Sequence, residues 1–142
     1  MKKIKYRAHY KPTDEIYYNA FRTPFFKNDN FHKFRWSAIT KNGQCIALEK
    51  ENIILMQYIN RKDNDNKEIY EYDVVSNGAG DIFVVIWNER NCEFVLLDKN
   101  NQIHNVNKNF LKIVGNIFKE KYKNKFKNRK ELFEYGRLES IF

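Results

Sequence analysis

The sequence has few of the residues that usually make turns or covalent links. Five glycines and two prolines leave most turns to asparagine and aspartate, as in Asn28-Asp29-Asn30, Asn77-Gly78 and Asn100-Asn101. Cys45 and Cys92 stand alone, without a CxxC or any paired spacing, so the pattern implies no disulfide framework. The fold must therefore depend on its core and on asparagine-rich turns.

Long apolar runs are also missing. No run approaches the roughly 18 residues that a membrane helix requires, and no apolar segment follows the charged residues 1–5. P-loop and GxGxxG motifs are absent too, which argues against a phosphate cradle. We therefore expect a cytoplasmic protein, with no membrane partner and no cofactor.

Aromatic residues are abundant: 12 Phe, 9 Tyr and 2 Trp stand in a chain of 142 residues that is 42% hydrophobic. They occur in short apolar runs separated by polar turns, which predicts a mainly β fold. The closely spaced strands indicate a small SH3-like barrel or curved antiparallel sheet, with an N-terminal β subdomain. For residues 19–36, where no steady period is visible, we expect short strands and loops.

The centre of the pattern is residues 53–75. The apolar run 53–60 ends in the polar turn 61–67, and the apolar run 68–75 follows at once, which predicts a hairpin. Glu68-Ile69-Tyr70-Glu71 and Asp73 resemble the Ile-Tyr-Glu-Gly-Asp-Ile-Val segment of the YopX-like proteins of phages and prophages. In this chain Asn60, Asn66 and Tyr72 stand where that family pattern has glycines.

The resemblance extends in patches over residues 1–118. The opening residues 4–9 are similar to the family's Ile-Lys-Phe-Arg-Ala-Trp, and residues 113–118 to its Val-Ile-Gly-Asn-Ile-Tyr ending. It implies a phage or prophage origin, and so a location in the cytoplasm of a bacterial host cell, but no particular activity. We predict a YopX-like β unit at 1–118, divided into 1–57 and a barrel-like 58–118, followed by a basic tail at 119–142.

The net charge of +8 is concentrated in that tail. Residues 119–130 carry seven basic residues and one acidic residue, which gives +6. Aromatic residues near helical spacing predict a basic amphipathic helix there. It either contacts nucleic acid or packs on the protein's own β unit. Alternation in residues 3–8 predicts a strand with a basic outer face. The candidate nucleic-acid-binding residues are Lys3, Lys5, Arg7, Lys121, Lys123, Lys125, Lys127, Arg129 and Lys130.

A second candidate surface is aromatic and lies in residues 19–36, where the family resemblance is weakest. Exposed aromatics make good contacts with protein partners. The alternative is that the same side chains complete the core. The candidate partner-binding residues are Phe21, Phe25, Phe26, Phe31, Phe34 and Trp36.

The sequence shows no convincing catalytic or metal site. Residues 63–67 begin like a calcium loop, but Lys67 and Glu68 stand where a ligand and a glycine belong, so a turn is favoured. His9, His32 and His104 lack ligand-spaced partners. A Cys92–His104 nucleophile and base has no support in the spacing. The carboxylates of Glu68, Glu71 and Asp73 fit a strand entry better than an acid–base pair.

We therefore expect a non-enzymatic phage or prophage accessory protein that binds nucleic acid or a host nucleoprotein complex. The alternative is a protein–protein inhibitor of a bacterial defence system, such as a restriction or CRISPR nuclease. A homo-oligomer is also expected if the aromatic residues leave an apolar patch exposed.

Overall fold

The computed structural model describes residues 2–106, 110–122, 125 and 126. These residues form eleven β-strands and one short 3-10 helix, and every strand pairing is antiparallel. The prediction of a mainly β fold is therefore confirmed. No helix in the described part of the chain is long and apolar enough to cross a membrane.

The strands follow one another with short connections. Their bounds are β1 Tyr6–Tyr10, β2 Glu15–Lys27, β3 Asn30–Ile39, β4 Cys45–Leu48, β5 Ile53–Lys62, β6 Glu68–Tyr70, β7 Asp73–Ser76, β8 Ile82–Asn88, β9 Glu93–Leu97, β10 Ile103–Asn105 and β11 Lys112–Asn116. The 3-10 helix, Lys50–Asn52, precedes β5. One sheet has the order β4-β3-β2-β1-β5-β6, and the other has the order β10-β9-β8-β7-β11. In the described residues no pairing closes either sheet into a barrel.

The chain divides into two compact units, Lys3–Gln57 and a unit that begins at Tyr58. In the N-terminal unit, β1 lies between β2 and the first part of β5. Small and aliphatic side chains fill its interior, including the fully buried Ala8 and Ala38.

The expectation of short strands and loops in residues 19–36 is wrong. Strands β2 and β3 form a long hairpin there, with 13 and 10 residues. The period was hidden because aromatic side chains occupy both faces of the hairpin, so hydrophobicity does not alternate. Pro24 is tolerated because its strand has a ladder partner on one side only, opposite Phe34.

In the C-terminal unit the five-stranded sheet encloses an aliphatic core. The fully buried Val75, Val85 and Leu96 pack with Phe83, and Leu111 joins them from the segment before β11. The central residues of strand β8, Phe83 to Ile86, are all buried, so both faces of the strand are covered. This accounts for its continuous apolar sequence.

Four hairpins have a three-residue turn held by the residue that precedes it. The side chain of that residue accepts the backbone N–H four positions later: Thr40, Asp63, Asn77 and Asp98. The residue three positions later has a positive φ: Gly43, Asn66, Gly80 and Asn101. At Thr40, Asp63 and Asp98 this is a type I turn followed by one left-handed residue, whereas at Asn77 a second residue, Gly78, also has a positive φ. Asparagine therefore takes the left-handed position of glycine in two of the four turns.

The predicted continuous strand 68–75 is divided into β6 and β7. Tyr72 lies between them with φ 65°, and its backbone N–H donates to Val85 O at 2.7 Å. Asn60 and Asn66 also have positive φ, at 62° and 65°. The three positions where the family pattern has glycine thus all adopt the left-handed conformation that glycine favours.

Candidate functional site: the aromatic ribbon

The site is built on the outer part of the β2–β3 hairpin, residues 21–36, which we call the ribbon. Asn28 and Asp29 connect its strands with φ of 53° and 63°. Two consecutive left-handed residues make a type I′ turn, which matches the twist of a two-residue hairpin. Strand β1 pairs with β2 only as far as Ala20, and β4 pairs with β3 only from Trp36 onwards. Among the described residues, the ribbon strands between these limits therefore pair only with each other.

A bulge near the turn decides which side chains share a face. Phe25 pairs with Lys33 and Phe26 pairs with Phe31, so His32 is the extra residue. Without a bulge, Phe31 and Phe34 would point to opposite faces, because they are three positions apart. With it, their ring centroids lie 5.1 Å apart on the same face.

This face, which we call the phenylalanine face, is open to solvent. Phe26, Phe31 and Phe34 are exposed by 57%, 55% and 53%. Phe26 contacts Phe31 edge to face at a centroid distance of 6.2 Å. The guanidinium of Arg22 lies over the Phe34 ring at 4.5 Å. The face therefore combines three adjacent exposed rings with a fixed cation.

The opposite face repeats the combination with half-buried groups. The Arg35 guanidinium lies 4.0 Å from the centroid of Phe25, and the same ring meets His32 edge to face. Thr23 and Ser37 share a hydroxyl hydrogen bond of 3.3 Å farther from the turn. Arginine thus stacks on phenylalanine on both faces of the ribbon.

The structure divides the six candidate partner-binding residues into two groups. Phe26, Phe31 and Phe34 form the exposed cluster, and Trp36 continues the same face towards the base of the hairpin, where it contacts Tyr6 at 5.1 Å. Phe21 and Phe25 are half-buried on the other face. The alternative that these residues complete the core does not apply to the exposed cluster.

The ribbon is also basic. Residues 21–36 contain Arg22, Lys27, Lys33 and Arg35 against Asp29, which gives four minus one, or +3. Sequence spacing does not identify Arg22 as a site residue, because its neighbours in the sequence are not its neighbours in space. The available signal was Asn28-Asp29-Asn30: a two-residue turn at 28–29 sets the register that brings strand β3 alongside Arg22.

The predicted basic outer face at the N-terminus is only partly present. Lys3 is exposed and Lys5 half-buried, but the prediction that Arg7 faces solvent is wrong, because it is 2% exposed. Its guanidinium lies over the Tyr18 ring at 5.6 Å. Strand β1 is an interior strand, and Arg7, Ala8 and His9 are all buried, so both of its faces are covered. Ile4, expected to face inward, precedes β1 and is 77% exposed.

The described start of the tail packs its aromatic side chains and exposes its lysines. Tyr122 and Phe126 are 5% and 4% exposed, while Lys121 and Lys125 are exposed. A Cβ at Gly115 would lie 2.6 Å from Tyr122 Cε2, so glycine is needed where the tyrosine packs. Lys123, Lys127, Arg129, Lys130 and most of the predicted amphipathic helix lie outside the described residues.

The carboxylates singled out in the sequence have structural partners. Asp63 accepts the backbone N–H groups of Asp65, Lys67 and Ile113 at 2.9 Å each. Burial by itself raises the pKa of Asp63, but these donors outweigh burial and hold its pKa below the usual value. Asp73 accepts the Tyr70 N–H at 2.8 Å.

The other candidate catalytic groups, Cys92 and His104, also have structural partners, and these partners differ. His104 contacts Asp98 at 2.9 Å, whereas Cys92 donates to Glu89 O at 3.5 Å. In residues 2–106, 110–122, 125 and 126, no group of three or more His, Cys, Asp or Glu side chains is arranged to hold a metal ion. The ribbon is therefore the strongest candidate site in the described structure.

The first comparison with known proteins concerns the fold of the chain, whose described strands make it an all-antiparallel β protein. The crystal structure of protein EF1440 from Enterococcus faecalis is similar, with a TM-score of 0.55 and 17% sequence identity. The match covers 83% of this chain and 95% of that one, and it shows a common fold. No curated protein matches the chain.

The family is shown by a second comparison. The family model described as YopX protein matches residues 5–122. The chain therefore belongs to the YopX family, and the resemblance noted in the sequence is confirmed. The match includes both the ribbon and the three left-handed positions Asn60, Asn66 and Tyr72.

Proposed function

We propose that the protein is a non-enzymatic accessory protein of a phage or prophage, and that it binds nucleic acid or a host nucleoprotein complex in the bacterial cytoplasm. The ribbon is the contact surface. The observation that carries the proposal is the phenylalanine face, where Phe26, Phe31 and Phe34 are exposed beside Arg22. Exposed rings with neighbouring cations are typical of surfaces that bind nucleic acid.

Burial does not account for these rings. A phenylalanine that remains half exposed removes little apolar area from water, so it contributes little to folding. Three such side chains in contact form an apolar patch, and patches of this kind in a folded protein usually have a binding role. The charge of +3 on residues 21–36 favours an anionic partner.

The exposed lysines at the start of the tail support the same partner. Lys121 lies 5.6 Å from the Tyr122 ring centroid, and Lys125 is exposed beside the buried Phe126. In the described residues of the tail, Lys121 and Lys125 are therefore exposed while the aromatic side chains are buried. Lys3 and Lys5 are candidates for further phosphate contacts. Arg7 is not a candidate, because it is buried.

The test is binding to generic DNA and RNA as a function of salt. Arg22, Lys33 and Arg35 are changed together to Gln, and the matched control changes three exposed cations outside the ribbon, Lys41, Lys62 and Lys99, to Gln. Both variants lose three charges, so a general charge effect changes them equally. We expect the ribbon variant to bind more weakly, with a salt slope smaller by about 2. Salt-independent binding, equal effects of the two variants, or no binding at low salt contradicts the proposal.

A second candidate function is inhibition of a bacterial defence nuclease through protein contact. The exposed, contacting rings of Phe26, Phe31 and Phe34 favour it, because aromatic residues often dominate protein interfaces. The test is affinity capture with and without nuclease treatment. One defined protein that survives the treatment, and whose nuclease activity falls on binding, supports inhibition. Recovery of mixed nucleic acid supports the first proposal.

The phenylalanine face also favours self-association as a homo-oligomer, because it is an exposed apolar patch. Light scattering at several concentrations tests this. A mass that stays at the monomer value of 17.3 kDa excludes oligomers under those conditions. The basic charge of the ribbon opposes direct ribbon-to-ribbon contact, so an oligomer formed through that contact is expected to dissociate at low salt.

The finer architecture is also a proposal. We infer an SH3-like arrangement for residues 58–118, because β7 opens a meander, β8–β9–β10, and β11 returns to pair with β7. We also propose that 1–57 and 58–118 are separate domains and that 119–142 is a helical tail. Expression of residues 58–142 alone tests the division: a cooperative unfolding transition supports it, and an unfolded product contradicts it.

A further inference from the structure

The geometry points to single-stranded nucleic acid as the ligand of the phenylalanine face, with bases stacked on Phe26, Phe31 and Phe34. This inference rests on the proposed function and names its substrate class. Every base has a flat π face, so stacking on an aromatic ring binds bases with little dependence on sequence. The three rings offer such faces in a row along one side of the ribbon.

The arrangement of the rings determines which form of nucleic acid fits. Phe26 meets Phe31 with an interplanar angle of 78°, and Phe31 meets Phe34 with an angle of 61°. Adjacent rings are therefore tilted against each other and do not present one continuous plane. Bases that stack on them must turn independently, which an unpaired strand permits and a duplex does not.

Arg22 supplies a phosphate contact on the same face. The Arg22 guanidinium lies 4.5 Å from the centroid of the Phe34 ring, and Arg22 is exposed to solvent. A guanidinium in this position can donate to phosphate oxygens beside a stacked base, because its planar fork presents several N–H groups. The face therefore has both parts of a single-strand site, a stacking surface and a positive charge.

The charge and the exposed rings of the ribbon favour single-stranded nucleic acid over the other candidate ligands. A second copy of the chain would bring another ribbon of charge +3 to the same face, and the two would repel. Duplex DNA satisfies the charge but hides its base faces within the helix, so it leaves three exposed rings without a partner. Single-stranded nucleic acid uses both features.

The experiment measures binding of the full chain to a labelled oligothymidylate of about 15 nucleotides and to a duplex of the same length. Phe26, Phe31 and Phe34 are changed together to Leu, which preserves apolar character and removes the π face. The matched control is Phe110→Leu, another exposed phenylalanine at 52%. We expect the triple variant to lose at least about tenfold in single-strand affinity with its salt slope unchanged, and the control to match the native protein.

Arg22→Gln is the second variant. We expect it to reduce the salt slope for the single strand by about 0.7, the value for one phosphate contact. Circular dichroism and the Tm show whether each variant is folded. If the triple variant is not folded, Phe31→Leu alone replaces it, with an expected loss of about threefold or more.

Three results would overturn the inference, and they have different consequences. Equal or tighter duplex binding that the leucine variant retains rejects single-strand stacking but leaves the proposed nucleic-acid function intact. Failure to bind either oligonucleotide at low salt rejects both. Tight single-strand binding that the leucine change leaves unaltered also rejects this face as the site.

Discussion

The ribbon and the five-stranded sheet of the C-terminal unit use the same secondary structure for opposite purposes. The sheet directs aliphatic side chains such as Val75, Val85 and Leu96 into a core where all three are fully buried. The ribbon directs Phe31 and Phe34 into solvent. A strand requires side chains that pack against neighbouring strands, but its formation does not require exposed phenylalanine residues. The contrast indicates that burial in the core accounts for the sheet residues but does not account for the exposed ribbon residues.

Their turns differ in the same sense. The sheet's turn at Asp98 is held by the side chain of its first residue, and Asp63 likewise organises the turn between β5 and β6. The ribbon turn depends on the backbone conformations of Asn28 and Asp29. Asp63 additionally accepts the N–H of Ile113, 50 residues away, so it also joins its turn to β11. The C-terminal unit therefore uses turn residues to connect distant strands.

The largest effect is expected from a phenylalanine in the sheet. Phe83 is 5% exposed and belongs to the core cluster. Phe83→Ala should lower the free energy of unfolding by about 3–5 kcal/mol, because it removes buried apolar area and leaves a cavity. Urea denaturation measures the change. A loss under about 1 kcal/mol would mean that the sheet core is no better packed than the ribbon.

The next effect is expected from Asp63. Asp63→Ala removes the acceptor of three backbone N–H groups and should cost about 2–3 kcal/mol. Asp98→Ala is the control from a turn of the same type. It should cost less, because its two backbone donors, Asn100 and Gln102, are both local, and its third partner, the His104 side chain, is 41% exposed.

Acid should reduce the difference between the Asp63 variant and the native protein. The folded pKa of Asp63 lies below its usual value of 3.8. Its contribution is therefore present above that value and is lost as the pH falls through the folded pKa. The free energies of unfolding at pH 7 and at about pH 3 measure this. A difference that is constant with pH would show that the ionised carboxylate is not what stabilises the turn.

A smaller effect is expected at the left-handed turn position Asn66. Asn66→Val should destabilise the protein by about 1–2 kcal/mol, because a β-branched residue is strained at φ 65°. Asn66→Gly is the control and should change stability by only a few tenths of a kcal/mol. Thermal unfolding of both variants measures the difference. Equal Tm values would show that the turn relaxes to another conformation.

The sequence predicts the turns and most strands of this protein well. Asparagine-rich segments and short apolar runs are local signals, and the strands near 45–48, 82–88 and 93–97 follow from them. The glycine positions of the family pattern also predict backbone conformation, since Asn60, Asn66 and Tyr72 all have positive φ. At Tyr72 the same conformation divides one predicted strand into two.

The candidate site was harder to predict because it depends on register and burial. Arg7 alternates with apolar neighbours, but β1 is covered on both faces, so a local period gives the wrong exposure. Phe31 and Phe34 share a face only because His32 is a bulge, which spacing alone does not indicate. Arg22 reaches Phe34 across the strands. These relations are between strands and not between sequence neighbours.

The smallest effect on stability is expected from the ribbon, and it is the counterpart of the Phe83 substitution. Phe31→Ala makes the same chemical change, but the Phe31 side chain is 55% exposed. Its described ring contacts are with Phe26 and Phe34, which are also exposed. The free energy of unfolding should change by less than about 0.5 kcal/mol. Urea denaturation beside Phe83→Ala gives the comparison directly. A loss of about 2 kcal/mol or more would mean that the phenylalanine face stabilises the fold, and the argument that these rings are retained for binding would fail.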